Sequence, residues 1–258
     1  MKPRHSLAEK YEHFYDMASV VPQQTDAGET AFFAGLGTAP AGSAVADIGC
    51  AEGMLCVALA RRGYAVTAVD ISPRHLESAR ANAAKAGVAL TVLRADIASG
   101  PLPVGGKPFQ TVYLMDVIEH LMNPVAALGG IRAVMADDGE LIINTPNAFA
   151  LHRILRYLRH PARLHDFFDP RNLQDLHFNT YDYLTLEKTL NFTGLKIVEL
   201  IPNRLTPPLT WSLRWFDPVK RLLSRGLPKF SDNLLVRCVK CDPIDVASQV
   251  VHWRKTVR

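Results

Sequence analysis

Small residues occupy alternate positions directly after a short apolar run, and such a loop could bind a ligand. Residues 44–48 predict a buried strand, and Gly49, Ala51 and Gly53 come directly after it, where a helix-like segment begins. Side chains this small let a ligand approach the backbone closely. Asp70 ends the next apolar run, where a carboxylate can accept hydrogen bonds from ribose hydroxyls. The pattern therefore favours a ligand that contains a nucleoside.

The charges beside this loop narrow the choice of nucleoside ligand. A dinucleotide loop of the form GxGxxG would place its third glycine at position 54, which is Met54. Asp47 and Glu52 would repel a pyrophosphate but attract a cationic amino-acid tail. S-adenosylmethionine carries such a tail, with a positive ammonium and a positive sulfonium. The loop therefore favours S-adenosylmethionine over NAD and disfavours an NAD-dependent oxidoreductase.

An alternation of strands and helices must position this loop. Further apolar runs predict strands at residues 65–69, 90–93, 111–115, 140–144, 196–201 and 233–240. Helical patterns cover residues 6–18, 52–62, 72–87, 124–135 and 183–191. No full helix pattern separates the last two strands, so the last strand can pair antiparallel. We expect an α/β fold with a Rossmann-like, doubly wound, seven-stranded sheet, mostly parallel with an antiparallel last strand, plus helical lid insertions.

Five segments in order resemble the class I S-adenosylmethionine-dependent methyltransferases. They are DIGCAEG at 47–53, DI at 70–71, RADI at 94–97, MDVIEHL at 115–121 and NTPN at 144–147, and the resemblance covers roughly residues 40–200. Together they resemble the ubiquinone-pathway O-methyltransferase branch and its small-molecule relatives. Ala51 stands where glycine is commoner, which is a mild departure. The resemblance implies that S-adenosylmethionine binds and leaves as S-adenosylhomocysteine. The implied cofactor contacts are Asp47, Gly49, Cys50, Ala51, Gly53, Asp70, Ile71, Asp96, Ile97, Met115, Asp116 and Val117.

Two histidines are the candidates for a catalytic base. Methyl transfer needs the acceptor atom about 3 Å from the methyl group, and a neutral hydroxyl also needs a base within hydrogen-bond reach. His120 follows the fourth predicted strand, at the edge where ligands bind in open α/β sheets. In relatives this Glu-His pair often only shapes the pocket or contacts the cofactor, and Glu119 could orient His120 or cap the next helix. His177 matches a family position near the mouth of the active site. No spaced acidic cluster indicates magnesium, so we expect no metal.

Two basic insertions interrupt the alternation and are expected to bind the acceptor. They cover residues 149–170 and 202–232, and with an N-terminal helix and cap at 1–42 they would complete a single domain of residues 1–258. The substrate-side candidates are Tyr11, Tyr15, His165, Trp211 and Trp215. Aromatic residues among cations suit a lid over a small or lipid-like acceptor, a peripheral membrane contact or a protein partner. Nucleic acid is the least favoured partner, because no Asn/Asp-Pro-Pro-Tyr/Phe run follows the fourth strand.

Composition and charge fit a cytoplasmic enzyme with an anionic acceptor. The 258 residues are 48% apolar and 21% charged, and no secretory signal or membrane-spanning run is evident. Residues 1–150 carry 11 Lys/Arg against 15 Asp/Glu, net −4, and residues 151–258 carry 18 against 10, net +8. The one CxxC, at Cys238 and Cys241, suggests strand packing. We expect O-methylation of a small or lipid-like, anionic acceptor. N-methylation, nucleic-acid methylation and a non-catalytic cofactor-binding partner protein are the alternatives, and the sequence is silent on oligomeric state.

Overall fold

The computed structural model describes residues 27–100, 102–103, 106–161, 177–202 and 226–243. Its strands are β1 (Ala44–Ile48), β2 (Ala65–Asp70), β3 (Thr91–Arg94), β4 (Phe109–Met115), β5 (Met135–Pro146), β6 (Leu195–Ile201) and β7 (Asn233–Lys240). They form one sheet of seven strands in the order β3-β2-β1-β4-β5-β7-β6. The expected Rossmann-like sheet is therefore confirmed.

The five strands β1 to β5 run parallel, so their carboxyl ends lie at the same edge of the sheet. β1 pairs in parallel with β2 and β4, β2 with β3, and β4 with β5. β7 pairs antiparallel with both β5 and β6, which confirms the antiparallel last strand but places it one position inside the edge. The strand order reverses at β1, between β2 and β4, and open α/β sheets bind ligands beyond the carboxyl ends of the strands at such a point.

The described residues include six α-helices and two short 3₁₀ turns. The helices are α1 (Ala27–Ala34), α2 (Met54–Arg61), α3 (Pro73–Ala86), α4 (Pro124–Val134), α5 (Leu151–Arg159) and α6 (Tyr183–Phe192), and the turns are Ile118–His120 and Pro228–Phe230. α3 has the caps that its sequence predicts. The Ser72 hydroxyl accepts a hydrogen bond from the His75 N–H at 3.3 Å, and Gly87 follows the last turn with φ 69°.

Helices cover both faces of the sheet. Leu128 of α4 and Leu186 of α6 belong to the core on one face, and Phe33 of α1, Leu59 of α2 and Leu76 of α3 belong to the core on the other. Four of these side chains are at most 3% exposed. Truncating a fully buried leucine to alanine costs about 2–5 kcal/mol. The two cores hold the sheet edge, and so the loops on it, in a fixed geometry.

Two elements differ from the sequence expectation. Between the predicted helix at 6–18 and Gly42 the sequence shows no helical pattern and predicts a loop, which is wrong over Ala27–Ala34, because this segment forms α1. Its sequence carries little amphipathic pattern, but Phe33 and Ala34 pack into the core, and tertiary packing outweighs weak local preference. β5 begins at Met135 rather than at residue 140, because Met135 pairs with Phe109 ahead of an irregularity in the β4–β5 register.

Three remaining expectations concern the CxxC cysteines, the N-terminal helix and membrane-spanning helices. Cys238 is buried in β7 and Cys241 lies just beyond it, and both are free thiols. The predicted helix at 6–18 lies outside the described residues. Among the described helices none has both the length and the apolar character that crossing a bilayer requires.

Candidate functional site

The loop after β1 has a backbone that requires glycine at two positions. Gly49 has φ 75° and Gly53 has φ 73°, in the left-handed region that favours glycine. A Cβ on Gly49 would lie 2.4 Å from Cγ2 of Val117, and one on Gly53 would lie 2.7 Å from Cβ of Ala79. The loop therefore passes directly against the segment after β4 on one side and against α3 on the other.

Asp70 fixes the middle of the same loop. Its Oδ2 accepts a hydrogen bond from the Ala51 N–H at 2.9 Å, and its Oδ1 accepts one from the Ser72 N–H at 2.9 Å. Nδ1 of His75 lies 3.4 Å from Oδ1. Ala51 has φ 45°, which is uncommon for alanine, and the bond to Asp70 holds it there. Each carboxylate oxygen has two lone pairs, so Asp70 can still accept a hydrogen bond from a ligand hydroxyl.

Asp47, at the end of β1, is a buried carboxylate. It is 3% exposed, and the Cys56 thiol donates a hydrogen bond to its Oδ2 at 3.2 Å. Burial raises the pKa of Asp47 to about 7, the hydrogen bond from Cys56 acts in the opposite direction, and the charge of Asp70 raises it further. Cys50, beside them in the loop, is also buried. The end of β1 therefore holds a carboxyl group that burial keeps partly protonated near neutral pH.

Two of the implied cofactor contacts, Asp96 and Ile97, follow β3. Asp96 accepts hydrogen bonds from the Ala98 N–H at 2.9 Å and from the Ser99 hydroxyl, so its carboxylate caps a local turn. Ile97 is buried and Ile71, after β2, is half-buried. The structure thus places the two apolar side chains beyond β2 and β3, on the same side of the switch point as Asp70.

Asp116, the first residue after β4, is held by β5. Its φ is 54°, its N–H donates to the Asn144 carbonyl at 2.9 Å, and its Oδ1 accepts from the Asn144 amide at 2.9 Å. The residue as a whole is exposed, yet the protein around its carboxylate removes enough water to raise the pKa to about 6. Its neighbours Met115 and Val117 are half-buried, and Val117 packs on Gly49.

Glu119, His120 and His177 come together beyond β4. One side-chain ligand atom from each lies within 4.8 Å of the other two, and the two imidazole centroids are 4.7 Å apart, edge to face. Oε2 of Glu119 accepts from the Thr145 hydroxyl at 2.9 Å, while Oε1 has no hydrogen-bond partner among the described residues. Burial, then the charge of Asp116, raises the pKa of Glu119 to about 7. Such a cluster can exchange a proton or hold a divalent cation.

Backbone contacts bring His177 to this place from a distant part of the sequence. The Asn179 N–H donates to the Glu119 carbonyl at 2.9 Å, and its amide donates to the Leu121 carbonyl. The Ala148 N–H donates to the Tyr181 carbonyl at 2.7 Å, beyond β5. The segment before α6 is therefore fixed between the ends of β4 and β5.

Sequence reasoning missed two side-chain contacts of the site and one grouping of residues. Neither the Cys56 donor nor the Asn144 side-chain contact was expected, although Asn144 stands at a strand end, which is a usable signal. The grouping of Glu119 with both histidines was missed because His177 lies 57 residues after His120. The substrate-side candidates lie outside the described residues: Tyr11, Tyr15, His165, Trp211 and Trp215.

The sheet order, the glycine loop at the switch point and the acids beside it define a Rossmann-like nucleoside-binding protein. Residues 24–200 match the family described as methyltransferase domain, and the chain belongs to that family. The family expected from the five sequence segments is confirmed.

The particular relatives include ubiquinone biosynthesis O-methyltransferases. One from Cereibacter sphaeroides is 33% identical over 142 residues, 50% of this chain and 56% of the relative. One from a Caulobacter species is 35% identical over 130 residues, 47% of this chain and 50% of the relative. The chain thus spans about half the length of the curated relatives it matches.

A solved structure extends the comparison over most of the chain. Magnesium protoporphyrin IX methyltransferase from Synechocystis, with bound S-adenosylhomocysteine, superposes with a TM-score of 0.54 and 18% identity. The match covers 93% of this chain and 90% of that one. At this identity the likeness establishes the fold.

Proposed function

We propose that this protein transfers the methyl group of S-adenosylmethionine to an oxygen atom of a small-molecule acceptor. The observation that carries the proposal is the position of His120 and His177 at the end of β4, the strand next to β1. The glycine loop opens on the same edge and touches the segment after β4 through Gly49 and Val117. A cofactor in the loop and an acceptor at the histidines would therefore be neighbours.

The charge and polarity of the residues on this edge suggest which part of the cofactor each of them would contact. Asp47 would receive the ammonium group, because a buried carboxylate is stabilised by a cation that enters with the ligand. Asp70 would accept from the ribose hydroxyls with its remaining lone pairs. Ile71 and Ile97 would pack on the adenine ring, and Asp96 lies beside them to meet the exocyclic amine. Met115 and Asp116 would line the remaining side.

The chemical step needs a base and a fixed geometry. An imidazole nitrogen of His120 would take the proton of the acceptor hydroxyl while the acceptor oxygen attacks the methyl carbon. The carbon–sulfur bond breaks, the electron pair stays on sulfur, and S-adenosylhomocysteine leaves. The edge-to-face contact with His177 orients the His120 ring. Holding the oxygen in line with the methyl group supplies most of the acceleration.

Release of S-adenosylhomocysteine in the presence of phenols, enols, carboxylic acids and amines tests the reaction. We expect turnover with an oxygen acceptor, and His120→Ala to lower kcat by about 100-fold while the Kd for S-adenosylmethionine changes by less than about threefold. Turnover with amines alone would replace O-methylation by N-methylation. Absence of cofactor binding would refute the proposal, and unchanged turnover in His120→Ala would reduce His120 to a pocket residue.

A second way to activate the acceptor is favoured by the unpartnered oxygen of Glu119. Glu119, His120 and His177 have the spacing of ligands around one divalent cation, and a buried carboxylate oxygen without a donor fits that arrangement. A bound cation would lower the pKa of an acceptor hydroxyl. Chelator treatment decides between the two: activity that is lost and then restored by Zn²⁺ or Mg²⁺ favours the cation, and activity that persists favours His120 as base.

The finer proposal is an anionic or lipid-like acceptor delivered at a membrane surface. The net charge of +8 over residues 151–258 supports this proposal. Arg153 and Arg159 lie on α5, where the Leu158 side chain is 73% exposed, and the nearby Phe149 side chain is 57% exposed. Exposed apolar side chains beside basic ones are typical of a membrane surface contact. Vesicles with and without anionic lipid, sedimented at low and high salt, test the membrane contact. We expect binding to anionic vesicles that weakens at high salt. No binding at low salt would leave a soluble acceptor as the alternative.

A further inference from the structure

We propose that Cys56 is a positioning residue for the cofactor, whose thiol holds the Asp47 carboxylate in place to receive the ammonium group of S-adenosylmethionine. The inference rests on the proposed placement of the cofactor's amino-acid end at Asp47. Cys56 acts through Asp47, because it is fully buried, with 0% of its surface exposed.

The contact joins the first turn of α2 to the end of β1. Sγ of Cys56 donates to Oδ2 of Asp47 at 3.2 Å. Gly53, with φ 73°, turns the chain so that α2 begins at Met54, and the third residue of the helix therefore faces the strand end. Among the described residues, Cys56 is the one side chain that donates a hydrogen bond to Asp47, and none of their Lys or Arg side chains pairs with it.

The other groups that face Asp47 do not stabilise its charge. Asp70 on β2 is a second anion, and Tyr113 on β4, paired in register with Asp47, has a hydroxyl that accepts from the Gly37 N–H at 3.1 Å. Cys50, in the loop, lies beside Cys56. The described surroundings therefore leave the Cys56 thiol as the group that favours the ionised form of Asp47.

The thiol can play this part at neutral pH because it stays protonated. The neighbouring Cys50 side chain, burial and the charge of Asp47 together raise the pKa of Cys56 well above the ordinary value. A donor to a carboxylate favours the charged form, which opposes the effect of burial on Asp47. Without the donor, Asp47 would hold its proton to higher pH, and a protonated carboxyl group cannot pair with an ammonium group.

Two substitutions of the same residue separate hydrogen bonding from packing. Cys56→Ala removes the donor, and Cys56→Ser keeps one of similar size. Calorimetry with S-adenosylmethionine should show a Kd raised about tenfold in Cys56→Ala at about pH 7, falling to about twofold at about pH 8, because more of Asp47 is ionised in the variant there while the cofactor's amino group still keeps part of its charge. Cys56→Ser should stay within about twofold at both pH values. The matched control is Cys238→Ala, another fully buried thiol, in β7.

An infrared measurement reports on the hydrogen bond of the Cys56 thiol itself. Its result would not change on cofactor binding if Cys56 only filled space. The S–H stretching band of Cys56, taken as wild type minus Cys56→Ala, should shift when S-adenosylmethionine binds, because the charge on Asp47 is then neutralised by a partner. Equal losses of affinity in the alanine and serine variants, a loss independent of pH, or an unshifted band would each overturn the inference.

Asp47→Asn distinguishes failure of this inference from failure of the proposed function. If Asp47→Asn binds S-adenosylmethionine as well as wild type, the cofactor's amino-acid end does not lie at Asp47, and the proposed placement fails. If Asp47→Asn loses affinity while Cys56→Ala keeps it at both pH values, the placement stands and the inference about Cys56 fails. Loss in both, with recovery of Cys56→Ala at high pH, supports the two together.

Discussion

Asn144 and Asp116 bond to each other twice, once through side chains and once through backbone. The Asn144 amide donates to Oδ1 of Asp116, and the Asp116 N–H donates to the Asn144 carbonyl, both at 2.9 Å. Asp116 has φ 54°, a conformation that few residues other than glycine adopt, and these bonds hold it there. β5 therefore sets the direction in which the chain leaves β4, towards His120.

Removing the Asn144 side chain should loosen this junction in a pH-dependent way. Asn144 is 1% exposed, and Asn144→Ala leaves Asp116 without its side-chain donor. We expect the free energy of unfolding to fall by about 1–3 kcal/mol. Because the donor lowers the pKa of Asp116, its loss raises that pKa above about 6, so the loss of stability is larger above this pH than below it.

Urea denaturation of Asn144→Ala and wild type on either side of that pKa measures the effect. Asn144→Asp is unsuitable as a control, because it places a second carboxylate beside Asp116. Asn191→Ala, on the half-exposed side of α6, is the matched control and should change stability little at either pH. Equal losses at both pH values for Asn144→Ala would mean that the bond to the Asp116 carboxylate contributes nothing.

The glycines of the loop after β1 should differ in whether a second substitution can rescue them. An added methyl group on Gly49 would meet the side chain of Val117 at 2.4 Å, whereas one on Gly53 would meet Cβ of Ala79 at 2.7 Å and its Cα at 3.0 Å. Both positions have positive φ, which costs an alanine about 1–2 kcal/mol before any clash is counted. Overpacking adds about 1–3 kcal/mol.

Thermal unfolding of four variants checks this difference. We expect Gly49→Ala and Gly53→Ala each to be destabilised, and Val117→Ala to restore part of the stability of Gly49→Ala, because it removes the atom that clashes. Ala79→Gly should restore less in Gly53→Ala, since the α3 backbone remains in the way and the helix gains a glycine. Full rescue of Gly53→Ala with no rescue of Gly49→Ala would contradict this account.

Much of the fold could be predicted because each element carries its own local signal. The bounds of β1 and β7 agree with the apolar runs at 44–48 and 233–240, and α3 lies between the two caps that its sequence displays. α1 could not be predicted, since Phe33 and Ala34 become buried only when α2 packs against them. Local pattern describes a segment, and it does not contain the partner against which that segment packs.

The same reasoning explains which parts of the site were visible in the sequence. The loop around Gly49 and Gly53 is contiguous, so its spacing could be interpreted directly. His177 lies beside His120 because Asn179, two residues later, donates to the Glu119 carbonyl. These two segments are far apart in the chain, so their spacing carried no signal. Cys56 reads as an ordinary apolar position of α2, and only its 3.2 Å distance to Asp47 gives it a role.

A buried ion pair ties the loop before β1 to the far half of the sheet. The Arg237 guanidinium contacts Glu140 and donates to Oε2 of Glu199 at 2.8 Å and to the Leu36 carbonyl at 3.0 Å. Oε1 of Glu140 accepts from the Thr38 N–H at 2.6 Å. Glu140 is 5% exposed, so Arg237→Ala would leave its charge buried without a cation. We expect a loss of about 3–5 kcal/mol.

A double variant tests whether the uncompensated charge is the cause. Arg237→Met with Glu140→Gln removes both charges, keeps an amide oxygen that can accept from the Thr38 N–H, and should recover most of the stability lost in Arg237→Ala. Chemical denaturation of the single and double variants gives the comparison. If the double variant is as unstable as Arg237→Ala, the loss comes from the broken contacts to Leu36 and Glu199 rather than from the charge of Glu140.

Asp47 should lower the stability of the protein without ligand as the pH rises. Its folded-state pKa is about 7 against an ordinary value of 3.8, so the folded form keeps a proton that the unfolded chain has already lost. The free energy of unfolding therefore falls as the pH rises through this window, and the loss is complete above the folded-state pKa. Asp47→Asn removes this dependence and should be more stable than wild type by about 1–3 kcal/mol at about pH 8.

Denaturation of Asp47→Asn and wild type across this pH range, with and without S-adenosylmethionine, completes the test. The two proteins should converge below the ordinary pKa of aspartate, where both are uncharged at this position. Asp137→Asn is the control, because Asp137 is exposed and its hydrogen bond to Lys240 lowers its pKa, which gives the opposite pH dependence. Added cofactor should stabilise wild type more than Asp47→Asn, because in the proposed placement the charge that weakens the empty protein would pair with the ammonium group. Equal stabilisation of both proteins by cofactor would show that Asp47 is buried for a structural reason alone.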